Sequence, residues 1–65
     1  MSGNKVRIDD VEAIGETPKA LHVIIDGEKH WIPKSQIDDD SEVWENGQEG
    51  TLVISEWFAD KEKLV

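Results

Sequence analysis

The segment that most constrains the fold is residues 20–27, where an apolar run meets a tight-turn signal. Residues 20–25 read Ala-Leu-His-Val-Ile-Ile, a composition rich in β-branched side chains and typical of a strand. Asp26 and Gly27 follow directly, and this pair is the strongest short-range signal for a two-residue type I′ hairpin turn. The sequence therefore predicts a β-hairpin whose second strand ends at Pro33, a residue without an amide hydrogen.

The two-residue turn also predicts the register of the hairpin. The expected cross-strand pairs are Ile25 with Glu28, Ile24 with Lys29, Val23 with His30, His22 with Trp31 and Leu21 with Ile32. One face then carries Leu21, Val23, Ile25 and Ile32, and the other carries His22, Ile24 and Trp31. Because both faces contain apolar residues, we expect a small sheet that curls around its core.

Two further segments have strand character. In residues 6–14, apolar side chains recur at every second position before and after Asp9 and Asp10, which interrupt the pattern. This predicts one strand with a bulge or two short strands. Residues 51–54, Thr-Leu-Val-Ile, predict another strand. Turns are expected at residues 15–18, 46–47 and 49–50.

Helical character is confined to two short segments. Pro33 predicts a single helical turn over residues 33–36, with Ile37 as its apolar anchor. Ser55 is a candidate N-cap for a helix over residues 56–64. Because a small domain needs large side chains to fill its interior, the residues expected in the core include Trp31, Trp57, Phe58 and Leu64.

These elements predict one domain of the α+β class that spans residues 1–65. We expect a small curled antiparallel sheet of three to five strands, SH3-like or OB-like, with a short C-terminal helix. The chain has no Cys, so disulfides cannot stabilise it, and residues 1–4 are expected to be frayed. It contains neither a secretory signal nor an apolar run near the roughly 20 residues that span a bilayer, so we expect a cytoplasmic protein.

Charge divides the chain into two parts. The formal net charge is -8, and residues 35–60 contain no Lys or Arg. Such a protein repels nucleic acid and anionic membrane over about a Debye length, roughly 8 Å at physiological salt. We therefore expect a monomer whose partner is a basic protein surface, with no direct binding to nucleic acid or membrane. The simpler interpretation is a surface kept soluble by its excess charge.

The candidate contact surface lies within residues 38–49. Its carboxylates are dense enough to follow a row of phosphates, and Trp is a preferred interface anchor. Trp44 either holds this segment against the core or stands partly exposed. The candidate partner-binding residues are Asp38, Asp39, Asp40, Glu42, Trp44, Glu45 and Glu49. A second acidic cluster, a further candidate for this surface, comprises Asp9, Asp10 and Glu12.

The sequence predicts neither an enzyme nor a metal or cofactor site. There is no Cys, and the two His fall on opposite faces of the hairpin, away from a nucleophile. Asp38, Asp40, Glu42 and Glu49 match four ligand positions of a calcium-binding loop. However, Val43 occupies the position where that loop requires Gly, so a solvated acidic loop is the better interpretation.

Three segments resemble small acidic proteins that phages and mobile elements encode. They are DGEKHWIPKSQI (residues 26–37), DDSEVW (residues 39–44) and GTLVI (residues 50–54). The chain more specifically resembles type I-C anti-CRISPR proteins, over most of residues 19–60.

This resemblance implies an inhibitor that binds the CRISPR Cascade complex. The protein would mimic the charge of DNA and occlude the basic site that recognises the PAM and captures target DNA. PAM reading and duplex capture use Arg and Lys, so an acidic protein could occupy that site by the same electrostatic attraction. The alternative is an acidic interaction module of a phage or mobile element that binds another basic protein.

Overall fold

The hairpin forms with the predicted turn and register. The computed structural model describes residues 4–64, and in it β2 (Ala20–Ile25) and β3 (Glu28–Pro33) are antiparallel neighbours. Asp26 and Gly27 have φ values of 53° and 84°, which are the left-handed values that a type I′ turn requires. All five predicted cross-strand pairs, from Ile25 with Glu28 to Leu21 with Ile32, are confirmed.

Residues 5–16 form one long strand, β1 (Lys5–Glu16), with a bulge at Asp9 and Asp10. This confirms the single bulged strand rather than two short ones. The extra residue shifts the alternation of side chains, so that Val6 and Val11, five positions apart, both pack on the core. Without the bulge, one half of β1 would turn its apolar side chains to solvent.

The four strands make an antiparallel sheet in the order β3-β2-β1-β4, where β4 is Glu49–Ser55. A 3₁₀ turn (Lys34–Gln36) and a helix, α1 (Glu56–Lys61), complete the fold. The α+β prediction is confirmed, although the sheet stays open instead of closing into a barrel within the described residues. The prediction of a turn at residues 49–50 is wrong, because these residues begin β4 opposite the bulge of β1.

Residues from every strand, the loop before β4 and α1 fill the core. Its buried members are Val11, Ala13, Leu21, Val23, Ile25, Ile32, Val43, Leu52, Ile54, Phe58 and Ala59. The Ile37 side chain packs against this cluster, as predicted for the anchor of the 3₁₀ turn. No helix in residues 4–64 combines the length and apolarity that crossing a bilayer requires.

The helix α1 begins where predicted and ends earlier. The Ser55 hydroxyl accepts a hydrogen bond from the Phe58 amide, which is the expected N-cap. The predicted helix over residues 56–64 is too long, because Lys63 adopts a left-handed φ of 56° and terminates it. The Leu64 amide then donates to the Ala59 carbonyl in a Schellman arrangement, which returns the Leu64 side chain to the core.

The prediction that Trp31 and Trp57 lie in the core is wrong. They are 52% and 63% exposed, because aliphatic residues and Phe58 already fill the interior. The ring of Trp31 stacks on His22, its cross-strand partner on the face away from the core, with centroids 4.2 Å apart. The ring of Trp57 lies against the Lys61 ammonium, which is 5.1 Å from its centroid.

The outer edge of β4 is covered by the segment that precedes it. The Asp38 amide donates to the Val53 carbonyl at 2.8 Å, and the Glu42 amide donates to the Thr51 carbonyl at 2.9 Å. Ser41, which is only 6% exposed, adds a side-chain connection between the two segments. The segment therefore satisfies backbone groups that an uncovered edge strand would present to other chains.

The Ser41 hydroxyl is the centre of this connection. Its oxygen accepts hydrogen bonds from the Val53 amide at 3.0 Å and the Val43 amide at 3.3 Å. The same hydroxyl donates to the Val43 carbonyl at 2.8 Å. One buried side chain thus joins the loop to β4 and places Val43 in the core.

We expect Ser41→Ala to lower the free energy of unfolding by about 1–3 kcal/mol, because buried amide groups lose their acceptor. Urea denaturation monitored by Trp fluorescence measures the effect. Ser35→Ala is the matched control: Ser35 is exposed and its hydroxyl makes no hydrogen bond within residues 4–64, so its effect should stay within about 0.5 kcal/mol. Equal stabilities for the two variants would contradict the role assigned to Ser41.

Candidate protein-binding site

Three of the six candidate carboxylates interact within the protein. Lys5 Nζ lies 3.2 Å from Asp38 Oδ2 and 3.4 Å from Asp40 Oδ2. Glu42 Oε1 accepts a hydrogen bond from the Thr51 amide at 3.0 Å. Gly50 leaves room for this carboxylate, since a Cβ at that position would lie 2.6 Å from Glu42 Oε1. These three carboxylates therefore support the fold as well as contributing charge.

The electrostatics of Asp38 follow from these contacts. The Asp40 amide donates to Asp38 Oδ2 at 2.9 Å. This hydrogen bond, followed by the Lys5 ammonium, lowers the pKa of the Asp38 carboxyl below its ordinary value. In return, the hydrogen bond and charge of Asp38 raise the pKa of Lys5. The carboxylate of Asp38 is thus held charged and in a defined position.

The other three candidate carboxylates form no ion pair within the described part of the chain. Asp39 and Glu45 are exposed, and their side chains make no hydrogen bond or ion pair among residues 4–64. Glu49 lies in β4 directly opposite Glu12 of β1, at the bulge. It therefore belongs with the second acidic cluster, away from Asp39.

Trp44 lines a surface groove next to two of these carboxylates. The groove has a volume of about 260 Å³, and Lys34, Ile37, Asp38, Asp39 and Trp44 line it. The Trp44 side chain is 53% exposed, which resolves the two alternatives: its neighbour Val43 enters the core, and Trp44 stands at the surface. The groove therefore combines an accessible aromatic ring with two carboxylates.

The turn that carries Trp44 is held in place by Gln48. Gln48 Oε1 accepts hydrogen bonds from the amides of Trp44 at 2.8 Å and Glu45 at 3.0 Å. Two backbone hydrogen bonds join the turn to β1: the Ala13 amide donates to the Gln48 carbonyl, and the Gly47 amide donates to the Ala13 carbonyl. The indole is thus presented from an ordered backbone, which lowers the entropy cost of binding a partner.

Lys34, the one cation among the described residues that line the groove, already has a partner. Lys34 Nζ pairs with Glu16 Oε2, and Glu16 Oε1 accepts a hydrogen bond from the Asn46 amide at 3.1 Å. The hydrogen bond from Lys34, followed by that from Asn46, lowers the pKa of the Glu16 carboxyl. Lys34 therefore does not neutralise Asp39.

This arrangement suits a cationic side chain from another protein. A guanidinium or ammonium group can lie over an indole ring and pair with neighbouring carboxylates at the same time. In residues 4–64 no three His, Asp or Glu side chains converge in a way that could hold a metal ion. Two of the oxygen ligands in the calcium-loop pattern, those of Asp38 and Asp40, are directed at Lys5.

No protein-family model matches this sequence, and comparisons with curated proteins and with solved structures found no match. These comparisons therefore add no evidence about function.

Sequence reasoning did not identify the residues that organise the groove. Lys34 and Ile37 line it, while Gln48 and Ser41 position its backbone. Pro33 was a signal for the turn that carries Lys34 and Ile37. No local signal indicated that Lys5 would neutralise Asp38, because the two residues meet only through tertiary packing.

The lowered pKa of Asp38 predicts a specific pH dependence. A carboxyl with a depressed native pKa stabilises the fold fully above its ordinary value of 3.8 and loses that contribution as the pH falls through the native value. We therefore expect Asp38→Asn to reduce the loss of unfolding free energy between about pH 5 and about pH 2.5.

Urea denaturation at several pH values tests this dependence. The Asn side chain retains an oxygen that can accept from the Asp40 amide, so the comparison isolates the charge. Parallel stability curves for the two proteins over this interval would contradict the assignment.

Proposed function

We propose that this protein is a non-enzymatic inhibitor that binds a basic DNA-recognition surface of another protein and excludes DNA from it. The observation that carries the proposal is the groove in which the exposed Trp44 ring lies beside Asp38 and Asp39. Glu45, next to Trp44 on the same turn, adds a second exposed carboxylate that forms no ion pair within residues 4–64.

The mechanism requires only steric and electrostatic competition. Proteins hold DNA phosphates chiefly with Arg and Lys, which would be attracted equally to the carboxylates of a protein with a net charge of -8. The Trp44 ring adds contact area that a phosphate backbone lacks, and Trp is a common anchor in protein interfaces. No covalent bond is made or broken in this mechanism.

The contacts differ from a simple row of phosphate equivalents. Asp38 and Asp40 share Lys5, and Glu42 accepts from a backbone amide, so these groups act mainly through the field they create. Asp39 and Glu45 are available for direct ion pairs. The proposed interface is therefore centred on Trp44, Asp39 and Glu45.

The resemblance to type I-C anti-CRISPR proteins points to one partner class. The proposed target is the Cascade subunit that recognises the PAM, and the protein would act as a monomer in the cytoplasm of a bacterial host. A different basic protein of the host or the mobile element is the alternative. The same groove would bind either partner, so binding assays with purified components are needed to distinguish them.

The first test reverses the two exposed charges. We expect Asp39→Lys with Glu45→Lys to weaken binding to purified guide-loaded type I-C Cascade by at least about tenfold, because close charge pairs across an interface would become repulsive. Competition with a labelled duplex that carries the PAM gives the inhibition constant. Circular dichroism verifies that the variant is folded.

The control variant is Asp60→Lys with Glu62→Lys, which changes the net charge equally at the end of α1. Both of these residues are exposed and their side chains make no hydrogen bond within residues 4–64. If both variants weaken binding equally, net charge alone is responsible and the groove is not the site. If the unmodified protein does not compete with DNA on Cascade but captures another basic protein, the alternative partner is favoured.

The second test concerns the aromatic ring. We expect Trp44→Ala to weaken binding by about tenfold or more, since tenfold corresponds to about 1.4 kcal/mol and truncating a hot-spot Trp costs about 2 kcal/mol or more. Trp57→Ala is the matched control, because Trp57 is exposed to a similar extent but lies on α1. Its affinity should stay within about twofold of the original, and equal losses in the two variants would argue against a groove-centred interface.

A further inference from the structure

A second groove lies where the bulge of β1, the β2–β3 turn and the chain after α1 meet. Its volume is about 490 Å³, larger than that of the Trp44 groove. Its apolar lining comprises Ile8, Ile24, Ile25 and Leu64. All of these except Ile25 are partly exposed, so apolar surface is accessible in the groove.

Five carboxylates surround this apolar surface. They belong to Asp9, Asp10, Glu12, Asp26 and Glu49. Among residues 4–64 none of the five forms an ion pair with Lys, Arg or His. The groove is therefore an apolar surface with an uncompensated negative rim.

The position of two rim residues makes this charge costly to the isolated protein. Glu12 and Glu49 are direct cross-strand partners on β1 and β4. Like charges in this arrangement destabilise a sheet, whereas opposite charges stabilise it. A cation from a bound partner would relieve the repulsion between them.

We propose that this groove binds an extended segment of a partner protein in which an apolar residue is flanked by Lys or Arg. The apolar side chain would contact the exposed parts of Ile8, Ile24 and Leu64, and the basic side chains would pair with the rim. A wholly apolar ligand fits less well, because it would desolvate carboxylates without pairing them. Nucleic acid is disfavoured by the sign of the charge.

This site is separate from the Trp44 groove, because the two grooves share no residue. The proposal therefore does not depend on the proposed inhibition of DNA binding. It assigns a role to Asp9, Asp10 and Glu12, and to Glu49, which pairs with Glu12 across the sheet.

The test uses two peptides of equal charge and the isotope-labelled full chain. The probes are Ac-Arg-Arg-Leu-Arg-Arg-NH2 and Ac-Arg-Arg-Ser-Arg-Arg-NH2, titrated while amide NMR shifts are recorded. We expect shifts concentrated at residues 8–12 and 24–27, and at least about fivefold tighter binding of the Leu peptide because of apolar burial. Equal affinity of the two peptides, or shifts centred on the Trp44 groove, would overturn the proposal.

Charge-neutral variants provide the second measurement. Asp10 and Asp26 have left-handed φ values of 59° and 53°, which Asn tolerates, so Asp10→Asn with Asp26→Asn should keep the backbone. We expect this variant to bind the Leu peptide about three- to tenfold more weakly. The matched control, Asp60→Asn with Glu62→Gln, removes the same charge from exposed positions outside both grooves and should change affinity by less than about twofold. Equal weakening in the two variants would assign binding to net charge and overturn the proposal.

Discussion

The hydrogen bonds of the Ser41 hydroxyl connect the acidic loop before β4 to the sheet. They join the loop before β4 to Val53 in the sheet, and they place Val43 in the core. Because a loop rich in carboxylates would otherwise repel itself into an open conformation, these buried contacts are what give it a defined shape. The covered edge of β4 and the groove beside Trp44 both follow from this connection.

The distribution of the few cations decides where negative charge remains available. Lys5 forms ion pairs with Asp38 and Asp40, and Lys34 forms one with Glu16. Both pairs are formed by residues that are distant in sequence, and both hold loops against the sheet. Among the other carboxylates, Asp39 lines the Trp44 groove and five line the second groove, and both grooves have accessible apolar surface. A protein with this pattern is suited to bind basic partners through charge and apolar contact together.

Much of the fold was predictable because its strongest signals are local. The left-handed turn at Asp26 and Gly27 sets the register of the hairpin, and Ser55 begins α1 as expected. The positions of Trp31 and Trp57 were not predictable from size and apolarity alone. Whether a large side chain is buried depends on how much of the interior other side chains already occupy. Here aliphatic residues from all four strands occupy it.

The candidate site was only partly predictable. Its acidic composition and its Trp are visible in the sequence, yet only Asp38, Asp39 and Trp44 of the seven candidate residues line the groove. Glu49 joins β4, because the bulge of β1 pairs it with Glu12.

By itself, the sequence determined the hairpin, its register and the excess of negative charge, since each follows from neighbouring residues or from composition. Only the tertiary structure decided which carboxylates keep that charge uncompensated. Lys5 and Asp40 are 35 positions apart, and their contact requires β1, β4 and the loop to pack together first. Ion pairing over such separations is set by packing, and no local pattern encodes it.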